Sequence, residues 1–228
     1  MQYNIIIPLT RPELLNRCSK WFNKEDTIIV EDLKHKQGVA KARNIGAEKA
    51  DKEWLLFMDD DVYFKEKPDF KIDSGYDIIY PKVMYENGAV MHPRDKGEEL
   101  FPRMGTVFLI KKKKIDEIKF DERYFFYFED EDFFERCRRA NFKAKYVPEI
   151  IAYHPVNPRR MNPKYFYRVI KNSMYYYLKF RKIPGRRLSD VLINDAGKVI
   201  IKQGKIFYIF IYPFAIIKAL YDYLSLGK

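Results

Sequence analysis

The sequence predicts an α/β protein built on a doubly wound, mostly parallel sheet flanked by helices, with a C-terminal extension that is helical, apolar and basic. Three observations lead there. Short apolar runs alternate with helix-period segments from Tyr3 to Asp61, the second and third runs end in acidic residues, and the composition turns basic and aromatic after Pro155. Strand and helix alternating over short links imply right-handed crossovers in a parallel sheet. With 228 residues, 47% hydrophobic and 33% charged, the chain can pack a sizeable core and is not globally disordered.

Taken in order, Tyr3-Asn4-Ile5-Ile6-Ile7 is a short apolar run ended by Pro8, the pattern of a buried strand. Thr10-Arg11-Pro12-Glu13 has capping-box spacing and a first-turn proline, predicting a helix that carries Leu14, Leu15, Cys18, Trp21 and Phe22. Thr27–Val30 is a second strand ending at Glu31-Asp32, and Gly38 to Ala50 a second helix rich in small apolar residues. Trp54–Met58 is a third strand that runs straight into Asp59-Asp60-Asp61. In such sheets ligands lie beyond the carboxyl ends of the strands, where Pro8, Glu31-Asp32 and Asp59–Asp61 all fall. Further strands are expected at Asp77–Tyr80 and Thr106–Ile110, a helix from about Glu129, and strands either side of Pro148 leading to His154. Tyr165 to Lys182 reads as an amphipathic helix, Gly185–Arg187 as a linker, and Ile206 to Leu226 as a nearly continuous apolar and aromatic run.

Lys and Arg outnumber Asp and Glu by 43 to 32, a formal charge of +11 that attracts polyanions such as phosphorylated substrates, anionic lipid or nucleic acid. The two cysteines, Cys18 and Cys137, have no CxxC spacing, which argues against a disulfide scaffold or zinc cluster and for a reducing cytosol. Neither a signal-peptide pattern nor a stretch of roughly 20 apolar residues is visible, so a cytoplasmic or peripheral protein is expected.

Three features could carry chemistry. In an extended segment Asp59 and Asp61 share a face while Asp60 opposes them, and two converging carboxylates suit a hard divalent cation. The bland alternative is a solvated loop that ends the strand. Glu129-Asp130-Glu131-Asp132 sits at an expected helix N-terminus, where carboxylates serve the macrodipole equally well. Its functional reading is a general base, because clustered acids raise one another's pKa. His154 is either an ordinary polar residue or a metal ligand. Lys41, Arg43, Arg159 and Arg160 could face phosphate or simply meet solvent.

With these residues placed, the chain resembles the family 2 glycosyltransferases, which have the GT-A fold. The likeness runs from about Tyr3 to Lys182. It rests on the Ile-Ile-Ile-Pro opening, on Gly38-Val39-Ala40-Lys41-Ala42-Arg43-Asn44-Ile45-Gly46, and on Leu56-Phe57-Met58 followed by the DxD motif Asp59–Asp61. It continues through Phe120-Asp121-Glu122, Glu129–Asp132 with Arg136, and Val147-Pro148 with His154. The resemblance implies an inverting transfer of sugar from a nucleoside-diphosphate sugar to an acceptor hydroxyl, with Mn²⁺ or Mg²⁺ at the DxD motif. By the same resemblance Asp130 is the base with Glu129 its rival, and Asp59, Asp61 and His154 serve the metal. Glu31 or Asp32 contacts the nucleotide base, while Pro8, Arg43, Asp59 and Asp60 line the nucleotide pocket. Two departures stand out. The usual D-D-G-S is Glu31-Asp32-Leu33-Lys34 with a shortened stretch to Gly38, and Asn141 replaces the usual glycine.

The expected organisation is a catalytic domain over residues 1–182, split into a nucleotide-sugar half (1–110) and an acceptor half (111–182), with an extension over 183–228. The segments from Asp95 to Arg103 and after His154 are candidates for closing over the donor. The apolar run near the C-terminus, flanked by Lys198, Lys202, Lys205 and Lys218, reads either as an element lying in an anionic membrane surface or as a helix packed on the catalytic domain or a second subunit. The membrane reading makes a lipid-linked glycan the natural acceptor. A sugar nucleotidyltransferase would need a glycine-rich phosphate loop that Pro8–Arg17 lacks. A nucleic-acid-binding or scaffold protein would leave two acidic clusters on the ligand side unexplained, so nucleic acid is not an expected partner.

Overall fold

The computed structural model describes residues 2–34, 36–93, 101–156, 162–181, 189 and 210–226. Arg159, Arg160, the expected boundary after residue 182, most of the two candidate closing segments and residues 206–209 lie outside these. The chain divides into two compact units, Met1–Glu122 with Glu129–Asn157, and Arg123–Phe128 with Pro158–Lys228.

The first unit is a mixed sheet flanked by helices. Its strands are β1 (Tyr3–Leu9), β2 (Thr27–Glu31), β3 (Trp54–Met58), β4 (Tyr63–Phe64), β5 (Ile78–Tyr85), β6 (Val90–His92), β7 (Val107–Lys111) and β8 (Ala144–His154). They lie in the order β2-β1-β3-β7-β5-β8-β4, with β6 on β5. β1, β2, β3, β5 and β8 run one way and β4, β6 and β7 the other. β1 and β3 are buried along their whole length, which is why β3 reads as an unbroken apolar run and β1 as one interrupted only by Asn4. Ile5, Ile6 and Ile7 are fully buried, each worth about 1.5–3 kcal/mol relative to exposure.

The helices of this unit are α1 (Leu15–Cys18), α2 (Val39–Lys49), α3 (Lys112–Glu117) and α4 (Glu129–Arg139). The helix expected from Thr10 is only a 3-10 turn followed by the single turn of α1, and Thr10 does not cap it. The Thr10 hydroxyl donates instead to Asp60 Oδ2 at 2.8 Å, an attraction from 50 residues away that local pattern does not show. α2 crosses close to β1 because Gly46 has no side chain; a Cβ there would overlap Ile6 Cγ2. α4 carries four acids in its first turn and Arg136, Arg138 and Arg139 in its last, complementing the macrodipole at both ends. Phe133 and Phe134 turn inward, Phe133 stacking on Phe120 at 4.2 Å between centroids. Asn141 stands at φ 59°, the left-handed conformation that asparagine tolerates in place of glycine.

The second unit centres on α5 (Pro163–Phe180) and α6 (Ile211–Leu224). Asn162 caps α5 by accepting the Tyr165 N–H at 2.8 Å, with Pro163 at the first helical position. Tyr124, Phe166, Ile170, Tyr175 and Tyr176 form a buried aromatic cluster with Ala215 and Ala219 of α6. Inside it Lys171 Nζ meets Asp222 Oδ2 at 2.6 Å and the Arg123 carbonyl at 2.6 Å. Among the described residues no helix is long and apolar enough to cross a membrane.

Candidate active site

The candidate site residues gather along one edge of the first unit's sheet. β1, β2, β3 and β8 deliver their carboxyl ends there, which places Leu9, Glu31, Asp59 and His154 in a row. β7 runs antiparallel to β3, so the residues just before its start reach the same edge. The Asp59 N–H donates to the Thr106 carbonyl at 3.0 Å, and Gly105 follows into the site.

Asp59–Asp61 is a turn, closed by Val62 N–H donating to Asp59 O at 3.1 Å, so the alternation expected of an extended chain does not apply. The three carboxylates go to different partners. Asp60 is buried and accepts from Thr10 N at 2.7 Å, Thr10 Oγ1 at 2.8 Å and Arg11 N at 2.9 Å, and pairs with the Arg11 guanidinium. It therefore ties the end of β1 to the end of β3. Asp61 Oδ2 pairs with Arg11 Nη1 at 2.8 Å and lies 3.4 Å from His154 Nε2. Asp59 Oδ1 accepts from Arg43 Nη2 at 2.8 Å. Burial pushes the Asp59 carboxyl up to about 6 against the pull of Arg43, and Asp61 adds to the rise.

His154 shows how a cation would fit. Its Nδ1 lies 2.6 Å from the Pro155 carbonyl, an acceptor, so Nδ1 carries a proton and the ring is anchored with Nε2 turned toward Asp61. Nε2 stands 3.4 Å from Asp61 Oδ2, the oxygen that also pairs with Arg11, so these are the two atoms to which a cation would be drawn. A backbone-anchored imidazole beside a carboxylate is the arrangement that orients metal ligands. Among the described residues no group of three or more His, Cys, Asp or Glu side chains is set to hold a metal unaided. Asp61 and His154 would hold one together with oxygens of a bound ligand.

Arg43 is the hub. Its guanidinium is buried and donates to Asp59, to Glu129 Oε1 at 3.2 Å and to the Gly105 carbonyl at 3.0 Å. It joins the acidic turn after β3 to the first turn of α4, two segments 70 residues apart in sequence. Glu129 Oε2 is buried and accepts nothing among the described residues. Burial and then Asp130 push the Glu129 carboxyl up to about 8 despite Arg43. Burial and Asp130 also raise Glu131. Asp130 is half-buried; its Oδ2 accepts from Gly105 N at 2.8 Å and its Oδ1 from Glu131 N at 2.9 Å.

Of the other expected site residues, Pro8 is buried in β1 opposite Val30. Glu31 ends β2 with its side chain exposed. Asp32 accepts from the N–H groups of Lys36 at 2.7 Å, Gln37 at 3.2 Å and Gly38 at 2.9 Å, so it organises the turn into α2. Lys41 faces solvent. Sequence reasoning missed Arg11 and Gly105. A Cβ at Gly105 would stand 2.9 Å from Asp130 Cβ and 3.1 Å from Arg43 Nη1. Gly105→Ala is therefore expected to displace both neighbours and to cut turnover by about 10²-fold while the protein stays folded, as steady-state kinetics beside a thermal melt will show.

The glycosyl transferase family 2 model matches residues 11–133, more than half of the chain. No curated protein sequence matches it. Among solved structures, TarS of S. aureus aligns with TM-score 0.55 and 15% identity over 88% of this chain and 44% of that one, so the chain spans less than half of TarS. TarS 1–349 in complex with UDP gives TM-score 0.55 and 16% identity over 88% of this chain and 72% of that one. The mannosyltransferase PcManGT from Pyrobaculum calidifontis, in complex with GDP-Man and Mn²⁺, gives TM-score 0.55 and 12% identity over 100% and 88%. At these identities the structural likeness establishes the fold, and the family match establishes the kinship. The chain belongs to glycosyl transferase family 2 and has the GT-A fold.

Proposed function

We propose that the carboxyl edge of the first unit binds a nucleoside-diphosphate sugar and passes its sugar, with inversion, to an acceptor hydroxyl of a glycan or lipid-linked glycan. One observation carries this reading. Buried Arg43 locks the acidic turn after β3 to the acidic start of α4, with Gly105 fixing Asp130 beside them, so a cation-seeking cluster and a base are held as one rigid constellation.

Each residue then has a task. Glu31, exposed at the end of β2, faces the nucleotide base, since Asp32 is committed to backbone amides. Pro8 forms the floor of the nucleotide pocket. Asp61 and His154 would hold a divalent cation, Mn²⁺ or Mg²⁺, with Asp59 nearby; such an ion neutralises charge on a departing diphosphate. Arg11, already paired with Asp60 and Asp61, supplies a second positive charge at this edge.

Asp130 acts on the acceptor. Both its oxygens are oriented by backbone N–H groups, and each retains a lone pair for a hydroxyl proton. As the acceptor oxygen bonds to the anomeric carbon, Asp130 takes the hydroxyl proton and the sugar–phosphate bond breaks, its electron pair leaving with the nucleoside diphosphate. One displacement from the face opposite the leaving group inverts the anomeric centre. The proton coupling of the anomeric hydrogen in freshly formed product, read by NMR, is expected to report the configuration opposite to the donor's. Retention would exclude this mechanism.

A further inference from the structure

The charge of this chain is segregated. Residues 158–228 hold fifteen Lys and Arg against three Asp and Glu, while residues 1–157 hold 28 against 29. The whole basic surplus belongs, in sequence, to the segment that forms most of the second unit.

In that same segment α6 has two faces of opposite character. Ala215, Ala219 and Asp222 point inward and are buried. Phe210, Phe214, Ile217, Tyr221 and Leu224 recur at alternating steps of four and three, each between 63% and 71% exposed. At about 100° per residue those steps keep all five within a stripe about 80° wide, directed away from the buried face. Five large apolar side chains in one exposed stripe are a binding surface rather than scattered surface apolarity.

The orientation is fixed by ion pairs. Asp222 is held from both sides, by Lys171 of α5 at 2.6 Å and by Lys218 at 2.7 Å. Rolling α6 to bury its apolar stripe would strip Lys171 of its carboxylate within the aromatic cluster. Lys218 stands at the stripe's border with Nζ 4.6 Å from the Tyr221 ring, the place for a lysine whose stem lies along apolar matter and whose head stays wet.

We propose that the outward stripe of α6 docks this unit onto an anionic lipid surface. At 14 residues the helix is about 21 Å long, short of the roughly 30 Å hydrocarbon core, so it lies in the interface with its stripe among the acyl chains. Charge decides between partners. A second copy would set two segments with this basic surplus against each other, whereas anionic headgroups neutralise it. The proposal needs no nucleotide, donor or metal, and so stands or falls apart from the catalytic assignment.

The test is cosedimentation of the full chain with sucrose-loaded vesicles of phosphatidylcholine alone or of an equimolar phosphatidylcholine–phosphatidylglycerol mixture, paired with sedimentation equilibrium in the absence of lipid. Wild type is expected to bind the anionic vesicles and to bind the neutral ones far less. Phe214→Ser/Ile217→Ser, which changes only exposed side chains, is expected to keep its melting temperature and to bind anionic vesicles at least about tenfold more weakly. Three outcomes overturn the proposal. Wild type that ignores both vesicles has its stripe covered by its own chain. Binding equal in wild type and variant is charge alone and leaves the stripe without a role. A wild-type dimer that the double substitution dissolves, with no vesicle binding, assigns the stripe to a second copy.

Discussion

Asp130→Asn is expected to lower kcat by about 10²–10⁴-fold while leaving nucleoside-diphosphate affinity nearly unchanged, because it removes a proton acceptor and not a donor contact. The asparagine oxygen can still accept the Gly105 N–H that now orients Asp130, so the loss reads out basicity rather than collapse of the site. Glu129 is the rival, and the two variants separate them. Glu129 is buried, one oxygen is taken by Arg43, and its carboxyl is pushed up to about 8, so it is a poor base for an approaching hydroxyl at neutral pH. Glu129→Gln is expected to cost less in kcat than Asp130→Asn. The reverse order, measured by steady-state turnover at saturating donor, would move the base to Glu129.

Arg43→Ala is expected to produce the largest loss of stability, about 3–5 kcal/mol. The wild-type guanidinium satisfies Asp59, Glu129 and the Gly105 carbonyl at once from a fully desolvated position. Truncation strands all three acceptors, two of them acidic, without water to replace the cation. For a chain of this size the melting temperature should fall by roughly 6–20 °C. Arg43→Lys should recover little of it, because a single ammonium does not reproduce a planar fork that reaches three partners. An unchanged melting curve for Arg43→Ala would mean that the two acidic segments are held by other contacts and that the hub has been misread.

The strands whose residues are dictated by burial were legible. β3 reads as Trp54–Met58 from sequence and in the structure because all five residues are buried, and the start of α4 was visible because clustered acids suit a helix N-terminus. The candidate site was legible where residues of one kind cluster, as at Asp59–Asp61 and Glu129–Asp132. It was not legible where a residue's role is set by a distant partner. Thr10 carries the local signature of a helix cap, yet a buried carboxylate 50 positions away competes for its hydroxyl and wins. Arg11 stood in the sequence only as part of an expected helix start, and its role emerges once the turn after β3 places Asp60 and Asp61 against it. Gly105 has no side chain to announce a role, and its importance comes from β7 running antiparallel to β3, a pairing invisible to apolar periodicity. Asp32 and Glu31 were equal candidates in sequence, and the structure shows that Asp32 accepts three backbone N–H groups in the turn into α2.

The most direct test of the central claim is calorimetric binding of uridine, guanosine and thymidine diphosphates, with and without Mn²⁺, to wild type and to Asp61→Ala. The site described here predicts that at least one nucleotide binds wild type in a Mn²⁺-dependent manner and that Asp61→Ala loses the Mn²⁺-dependent part, about tenfold or more in affinity. Absence of binding by every nucleotide under both conditions, with the protein folded, would contradict the assignment of this edge as a donor site.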